Sequence, residues 1–204
     1  MAKKENKAIE IRPPQVETVL LRIVGDTPLI VHQFAEKSKK QMRDKQEKKA
    51  KAQKEARDSD EEFEQAKYKM SNGKDGFPAL AVKQAIVGSA RFTDDVPMTI
   101  LRGTVFVTAE EMETGLVEIK AKKVKKVEDM VRVGMGSSDF RYRPYYYDWS
   151  IDLKIKYDKS VLSLEQVLNL LTRAGLSQGL GDWRPERNGQ NGQFHVDEKG
   201  IKVL

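Results

Sequence analysis

The sequence contains no cysteine and only two histidines, His32 and His195. A chain without cysteine has no disulfide framework, no thiolate chemistry and no cysteine-based zinc site. Two histidines are too few for a histidine-rich metal site, and no carboxylates have the spacing of a two-metal centre. No GxSxG nucleophile motif is present either. We therefore expect no metal and no cofactor, and these absences favour a binding protein over an enzyme.

Long apolar runs are also absent. Residues 1–14 are mostly polar and basic, so we expect no secretory signal. No stretch approaches the roughly 18 apolar residues that cross a membrane. With 39% hydrophobic residues the chain can still bury a core. The sequence therefore predicts a soluble, cytoplasmic protein without a membrane partner.

The net charge is modest but unevenly distributed. The chain has 37 Lys+Arg and 31 Asp+Glu, a formal net charge of +6. Residues 37–57 hold ten basic and three acidic side chains, whereas 58–64 hold five acidic ones. The basic run has good helix formers but no wide apolar stripe. It is either a solvated helical arm or a basic arm that lies along phosphates.

The 204 residues suit one domain with appended elements. We expect a flexible basic tail at 1–15 and a single domain at 16–204. The charged segment predicts a helical insertion at 35–72 in that domain. Apolar and basic residues alternate further on, which predicts a β-ribbon insertion at 111–140.

Alternation of apolar and polar residues predicts the strands. The pattern is strictest at 149–158, where the apolar residues from Ile151 to Tyr157 fall on one face. Further strands are predicted at 16–24, 98–110, 193–196 and 200–204.

Two helices are predicted between the strands. One covers 77–92, with Pro78 in its first turn. The other covers 162–175, begins with the capping-box pattern of Ser163 and Gln166, and ends at Gly175. Without the insertions the order is βαββαβ. We therefore predict an α+β, ferredoxin-like antiparallel sheet with the helices on one face.

A glycine-rich loop joins the last helix to the last strand. Nucleotide-binding loops have the reverse order, a strand followed by a helix, so we exclude a nucleotide cofactor. Glycines at this density let a backbone approach another surface closely. The glycines are Gly179, Gly181, Gly189 and Gly192.

The same loop carries Trp183, Arg184 and Arg187. Guanidinium groups pair with phosphates through two hydrogen bonds, and aromatic rings stack on unpaired bases. The loop therefore predicts contact with single-stranded nucleic acid. A second interpretation stays open, in which the loop folds back on the sheet and Trp183 is its anchor in the core.

A second cluster combines basic and aromatic residues. It comprises the lysine-rich run with Lys122 and Lys123, and the aromatic run with Arg141, Arg143 and Tyr145. Backbone charge and base stacking operate together in single-strand binding, which this cluster favours. For any single tyrosine, a place in the core is an equal alternative.

His32 follows the first strand and lies beside the basic insertion. A lone histidine at a strand end most often makes a local hydrogen bond. Its functional alternative is a general acid or base for RNA cleavage. We expect His195, in the last strand, to be structural.

The chain resembles the RAMP superfamily, the ferredoxin-like RNA-binding proteins of CRISPR effector complexes. The resemblance rests on an opening strand followed by a large insertion, on a Pro-led helix with Pro78, Lys83 and Arg91, and on the glycine-rich loop at 179–194. It covers about two-thirds of the chain in pattern. The WRPER segment departs from the family's simpler Gly/Arg loops. The Lys-rich arm also gives the impression of a phage-encoded protein.

The resemblance implies a non-enzymatic subunit that binds the backbone of single-stranded nucleic acid without sequence specificity. It also implies self-association or a multi-subunit ribonucleoprotein, in a bacterial or phage-infected cell. We expect RNA in preference to DNA, although no residue pattern separates the two. Some relatives are metal-independent endoribonucleases, and His32 alone fits that role here. The third hypothesis is a scaffold or inhibitor that binds a protein through the helices at 35–70.

Overall fold

The computed structural model describes residues 13–34, 36–47, 57–93, 96–134 and 136–204. The predicted tail lies outside them except for its last three residues, as do residues 48–56 of the basic run. In chain order the elements are β1 (Val16–Gly25), β2 (Leu29–Ile30), α1 (Glu36–Gln46), α2 (Ser59–Gln65), β3 (Tyr68–Lys69), β4 (Asp75–Pro78), α3 (Ala79–Ser89), α4 (Met98–Thr104), β5 (Val105–Thr108), β6 (Leu116–Glu118), β7 (Lys120–Val133), β8 (Ser137–Asp158), α5 (Leu164–Ser177) and β9 (Phe194–Val203). Short 3₁₀ turns occupy Ala90–Phe92 and Pro185–Arg187.

The structure is α+β with antiparallel sheets, as the sequence predicts. The carboxyl-terminal half of β8 pairs with β1 on one side and with β5 on the other, and β9 pairs with the far edge of β1. The central strand order is therefore β9-β1-β8-β5, with every pair antiparallel. The predicted alternation of β8 is confirmed, because Ile151, Leu153, Ile155 and Tyr157 are all buried.

Helices α3 and α5 pack against the buried face of this sheet. Val82 and Ile86 of α3 join Leu171 of α5 in one apolar core with the inward residues of β1 and β8. The capping box is confirmed: Ser163 Oγ accepts from the Gln166 amide, and the Gln166 side chain accepts from the Ser163 amide. The packing of these helices fixes the segments that precede α3 and follow α5.

The predicted end of α5 at Gly175 is wrong. The helix continues to Ser177, and Gly175 packs inside it, where a Cβ atom would lie 1.9 Å from the Phe194 carbonyl oxygen. The glycine that reverses the chain after α5 is Gly179. Its φ is +66°, and its amide donates to the Ala174 carbonyl. Glycine thus has two uses here, close packing at 175 and chain reversal at 179.

The strand predicted at 98–110 is correct only in part. Residues 98–104 form helix α4, and the strand is limited to β5. Met98, Leu101 and Val105 lie three and four residues apart and all face the core, which is helical spacing. The β-forming residues of 105–108 follow the helical segment directly, which is why the sequence pattern indicated a strand over the whole segment.

A long hairpin extends from the central sheet. β7 and the first half of β8 pair from Lys120 with Ser150 to Val133 with Ser137. The ribbon predicted at 111–140 differs at both ends, because β6 leaves for a small sheet with β3 and β4, and β8 runs on into the core without a break.

Where the structure describes the charged segment, it contains helices α1 and α2. Asp58 caps α2 by accepting from the Asp60 and Glu61 amides. Ion pairs hold this helix against the hairpin, with Lys126 Nζ 2.6 Å from Asp60 and Arg57 Nη1 2.5 Å from Asp139. In the described ranges, no helix is both long and apolar enough to cross a membrane.

Candidate nucleic-acid interface

An open groove of about 640 Å³ lies between α3 and the glycine-rich loop. One wall comes from the exposed side of α3 and from α4, and the other from 178–187. Two motifs that are about ninety residues apart in the sequence therefore form one site. Six predicted site residues line it: Lys83, Arg91, Gly179, Gly181, Arg184 and Arg187.

Five cationic side chains line the groove, against two carboxylates, Asp182 and Glu186. The cations are Lys83, Arg91, Arg102, Arg184 and Arg187. This excess of positive charge in a concave site attracts anionic ligands, because low-dielectric walls focus the field.

The arginines of the groove differ in how free they are. Arg184 bonds to Glu186 Oε2 at 2.6 Å and to the Gly181 carbonyl at 2.8 Å, so it is engaged within the loop. The Arg187 side chain is 70% exposed, and its Nε lies 3.9 Å from the same carboxylate. Arg91 and Arg102 are exposed and make no ion pair with any described residue. Arg91, Arg102 and Arg187 are thus the guanidiniums available to a ligand.

Lys83 has a restricted position on the groove wall. Its Nζ donates to the Arg102 carbonyl at 2.9 Å and lies 4.0 Å from the centroid of the Phe106 ring. Partial burial lowers the pKa of Lys83 below its usual value. The ammonium is therefore fixed at one end of the groove and free only on its outward side.

Apolar side chains form part of the groove surface. Leu80 of α3 is 62% exposed, and Pro78, Ala81 and Met98 lie beside it. Apolar atoms next to guanidiniums suit a ligand that has both flat apolar rings and negative charges.

The glycines of the loop approach the chain's own backbone. A Cβ atom on Gly181 would lie 2.2 Å from the Ile30 carbonyl oxygen, and one on Gly192 would lie 1.8 Å from the Leu180 carbonyl oxygen. Both have positive φ, +76° and +70°. The amide of Asp182 also donates to the Ile30 carbonyl at 2.9 Å. The loop therefore does fold back on β2, as one interpretation held.

Trp183 is not the core anchor that this interpretation assigned to it. Its side chain is 47% exposed, and its backbone has the left-handed φ of +54°. Gly189 packs directly on the Trp183 carbonyl, where a Cβ would lie 1.7 Å from the oxygen. The loop holds Trp183 outward between Asp182 and Arg184, both of which line the groove. A non-glycine residue in this conformation carries strain, which the closed loop maintains.

The hairpin residues form a separate group. Lys122 and Lys123 are exposed on β7 and make no ion pair with a described residue. Tyr145 donates to Asp129, and burial and this carboxylate raise the pKa of Tyr145 to about 12. Its hydroxyl is therefore engaged in the fold rather than presented to a ligand.

Arg143 requires a correction. It is buried, with 4% of its side chain exposed, and its guanidinium lies 3.3 Å from Asp129 and 3.3 Å from Asp182. Because its guanidinium lies between two carboxylates, Arg143 is a structural cation and is not available to a phosphate. Asp129 lies two residues along β7 from Val127, the cross-strand partner of Arg143, and is therefore on the same side of the hairpin as Arg143.

His32 and Arg141 line a second cavity of about 400 Å³, beside α2. His32 Nδ1 is buried and has no hydrogen-bond partner. Burial first, then the charges of Arg143 and Arg141, lower the pKa of His32, so its imidazole is neutral at neutral pH.

His195 instead pairs with Asp26 at 2.6 Å, on an exposed turn. The described residues contain no group of three or more potential metal ligands.

Arg102, Leu80 and Met98 are groove residues that the sequence prediction missed. Arg102 and Met98 lie in the segment predicted as strand, so their placement on a helix beside α3 was hidden. Leu80 belongs to the predicted helix, but its exposure depends on which side of α3 the loop leaves open.

Comparison with known proteins adds information on the fold. No protein-family model matches the chain, and no curated protein matches it. One similar solved structure is a chain of the Type III-B Cmr-beta complex bound to cognate target RNA, determined by cryo-electron microscopy. The match covers 93% of this chain and 61% of that chain, with 12% sequence identity and a TM-score of 0.54. At this identity the similarity shows the fold alone.

Proposed function

We propose that the protein binds single-stranded nucleic acid, preferably RNA, in the groove between α3 and the glycine-rich loop. The observation that carries the proposal is the convergence of Arg91, Arg102 and Arg187 on one concave surface, with the exposed Trp183 between two residues that line it, Asp182 and Arg184. Phosphates pair with the guanidiniums, and an unpaired base stacks on Trp183. Neither contact depends on base identity, so binding is largely independent of sequence.

The fold supports this assignment. The strand order β9-β1-β8-β5, with α3 and α5 packed on one side, supports the proposal of a ferredoxin-like βαββαβ unit. The Pro-led helix and the glycine-rich loop, the two motifs that resemble RAMP proteins, are the two walls of the groove. The similar structure comes from an RNA-bound CRISPR complex. We therefore propose, as part of the same hypothesis, that the chain is a RAMP-like subunit of a ribonucleoprotein.

Assembly along the nucleic acid belongs to this proposal as well. A groove that contacts backbone and bases without regard to sequence lets several copies bind one strand. Sedimentation of the protein with strands of increasing length tests this, because the number of bound copies should rise in steps with length. A single copy on every strand would refute assembly but not binding.

The direct test of the groove is a comparison of matched arginine variants. Arg91→Ala/Arg187→Ala should weaken binding of a single-stranded RNA at low salt by more than tenfold, because two charge-assisted contacts are lost. Arg173→Ala removes the same type of charge from the exposed surface of α5, outside the groove, and should change affinity less than twofold. Equal effects of the two variants would refute the groove as the site.

A second candidate function, RNA cleavage, rests on His32. Its neutral imidazole with an unpaired Nδ1, beside Arg141 in a cavity, has the properties of a general base. This hypothesis predicts cleavage of an RNA hairpin in EDTA that His32→Ala abolishes while RNA binding persists. Intact RNA after prolonged incubation would leave binding as the function.

A further inference from the structure

The second face of the central sheet, turned away from α3 and α5, is open to solvent over the described residues. Alternate residues of β1, β8, β5 and β9 point to it, and cross-strand pairing arranges them in rows. One row joins Lys202, Leu20, Lys154 and Thr108, and the next joins Thr18, Lys156 and Phe106. These two rows form a surface that has no part in the groove.

Charge on this open face separates into two regions. Towards the hairpin, Asp152 pairs with both Arg22 and Lys120 at 2.6 Å, so two cations there share one carboxylate. Towards the other end, Lys154, Lys156 and Lys202 are exposed and form no ion pair with any described residue. We call this second region, with Phe106, the lysine face. Lys154 shares a cavity of about 580 Å³ with Glu110, Asp152 and Asp197, whereas Lys156 and Lys202 do not line that cavity.

Phe106 lies at the edge of the lysine face, on β5. It is 45% exposed and stands directly opposite Lys156 in the register. The Nζ atom of Lys83 lies 4.0 Å from the centroid of its ring. Because Lys83 also lines the groove, Phe106 marks the point where the groove and the lysine face meet around the edge of the sheet.

We infer that the lysine face is a second contact surface for the same single strand of nucleic acid, which continues from the groove around β5. A base stacks on Phe106, and the lysines contact the phosphates that follow. Lys154 and Lys156 are two residues apart on one strand, hence about 7 Å apart along it, which suits successive phosphates of an extended chain. An exposed ring flanked by lysines that form no ion pair with a described residue combines the two contacts of single-strand binding.

The inference rests on the proposed function, so its test must separate the two surfaces. The exposed Trp183 reports on the groove, because a base stacked on it quenches its fluorescence. Affinity and its salt dependence report on all phosphate contacts together. Two strands, of about 5 and about 20 nucleotides, bracket the site sizes typical of single-strand binding. The short strand can fill only one surface.

The variant to test is Lys154→Gln/Lys156→Gln/Lys202→Gln. It should bind the short strand with unchanged affinity and unchanged tryptophan quenching. Its affinity for the long strand should fall more than tenfold, and the slope of log affinity against log salt should shrink by about 2, since each lost phosphate contact removes roughly 0.7. Exposed lysines contribute little to folding, and a thermal melt verifies that the variant is folded.

Phe106 provides an independent variant. Phe106→Leu should weaken long-strand binding without changing the salt slope, whereas Phe106→Tyr should retain the wild-type affinity.

If the lysine variant binds the long strand like the wild type, with the full slope, the inference is wrong and the face serves another contact, such as an acidic protein surface. If the wild type binds neither strand, the proposed function and this inference both fail. If Arg91→Ala/Arg187→Ala binds both strands like the wild type while the lysine variant loses affinity, the groove assignment fails and the lysine face remains as a contact surface.

Discussion

Arg143 of β8 lies 3.3 Å from Asp182 of the glycine-rich loop. The same guanidinium contacts Asp129 across the hairpin, so one buried cation connects the hairpin to the wall of the groove. Removal of a buried partner is destabilising, because it leaves carboxylates without compensation. We expect Arg143→Ala to lower the free energy of unfolding by about 2 kcal/mol, less than for a fully buried pair because Asp182 is partly exposed.

Denaturant unfolding measures this change, with Arg132→Ala as the matched control. Arg132 is exposed on the same hairpin, so its removal should alter stability by less than about 0.5 kcal/mol. Equal stabilities of the two variants would show that the Arg143 contacts carry no weight in the fold.

Gly181 provides a prediction about the shape of the groove. An added Cβ would lie 2.2 Å from the Ile30 carbonyl, and φ is +76°, so Gly181→Ala must displace the loop. We expect a loss of about 2 kcal/mol in stability and a clear loss of RNA affinity.

Gly103→Ala is the control, because Gly103 lies in α4 and nothing lies within 4 Å of a Cβ atom added there. There alanine should raise stability by up to about 1 kcal/mol. A neutral Gly181→Ala would contradict the close packing of the loop.

Trp183 gives a prediction that separates stacking from charge. Trp183→Ala should lower the affinity for single strands by about 1–3 kcal/mol, the range of one base stacked on an aromatic ring. The slope of affinity against salt should stay the same, because no phosphate contact is lost. Trp183→Phe should retain most of the binding. Fluorescence anisotropy with a labelled strand measures all three; a changed slope would mean that Trp183 acts through the arginines beside it.

Two tyrosines of β8, Tyr145 in the hairpin and Tyr157 in the central sheet, give a pH dependence. Burial and Asp129 raise the pKa of Tyr145 to about 12, and burial and Glu17 raise that of Tyr157 to about 12. A folded pKa above the unfolded value of about 10 contributes stability that is complete below pH 10 and is lost as the pH rises towards 12. The free energy of unfolding should therefore fall steeply in this window.

Phenylalanine variants assign this pH effect. Tyr145→Phe should reduce the fall between pH 10 and 12, and Tyr145→Phe/Tyr157→Phe should remove most of it. Denaturation followed by circular dichroism at several alkaline pH values distinguishes the two. A wild-type curve that is flat over this window would contradict the role of the buried hydroxyl groups.

Local patterns in the sequence predicted much of the fold. The strict alternation of β8 and the Ser163–Gln166 capping box are local signals, and both are present in the structure. The helix at 98–104 was missed because its apolar spacing precedes a strand of β-formers without a break. Gly175 was misjudged because the sequence does not reveal whether a glycine reverses the chain or packs against it.

The candidate site was predictable as two motifs but not as one groove. Lys83, Arg91, Arg184 and Arg187 were named from local patterns, and tertiary packing brings them together. Arg143 had the same local appearance as Arg141, yet it is buried between Asp129 and Asp182. The two arginines lie two residues apart on β8 and hence on one face, so which of them is buried depends on partners distant in the sequence.

The affinity for single-stranded RNA across a salt series tests the central claim most directly. The wild type should bind at low salt, and log affinity should fall linearly with log salt, with a slope of about −0.7 for each phosphate neutralised. Arg91→Ala/Arg187→Ala should reduce that slope by roughly 1.4, the share of two contacts. Absence of binding at low salt, or an unchanged slope in the variant, would contradict the account.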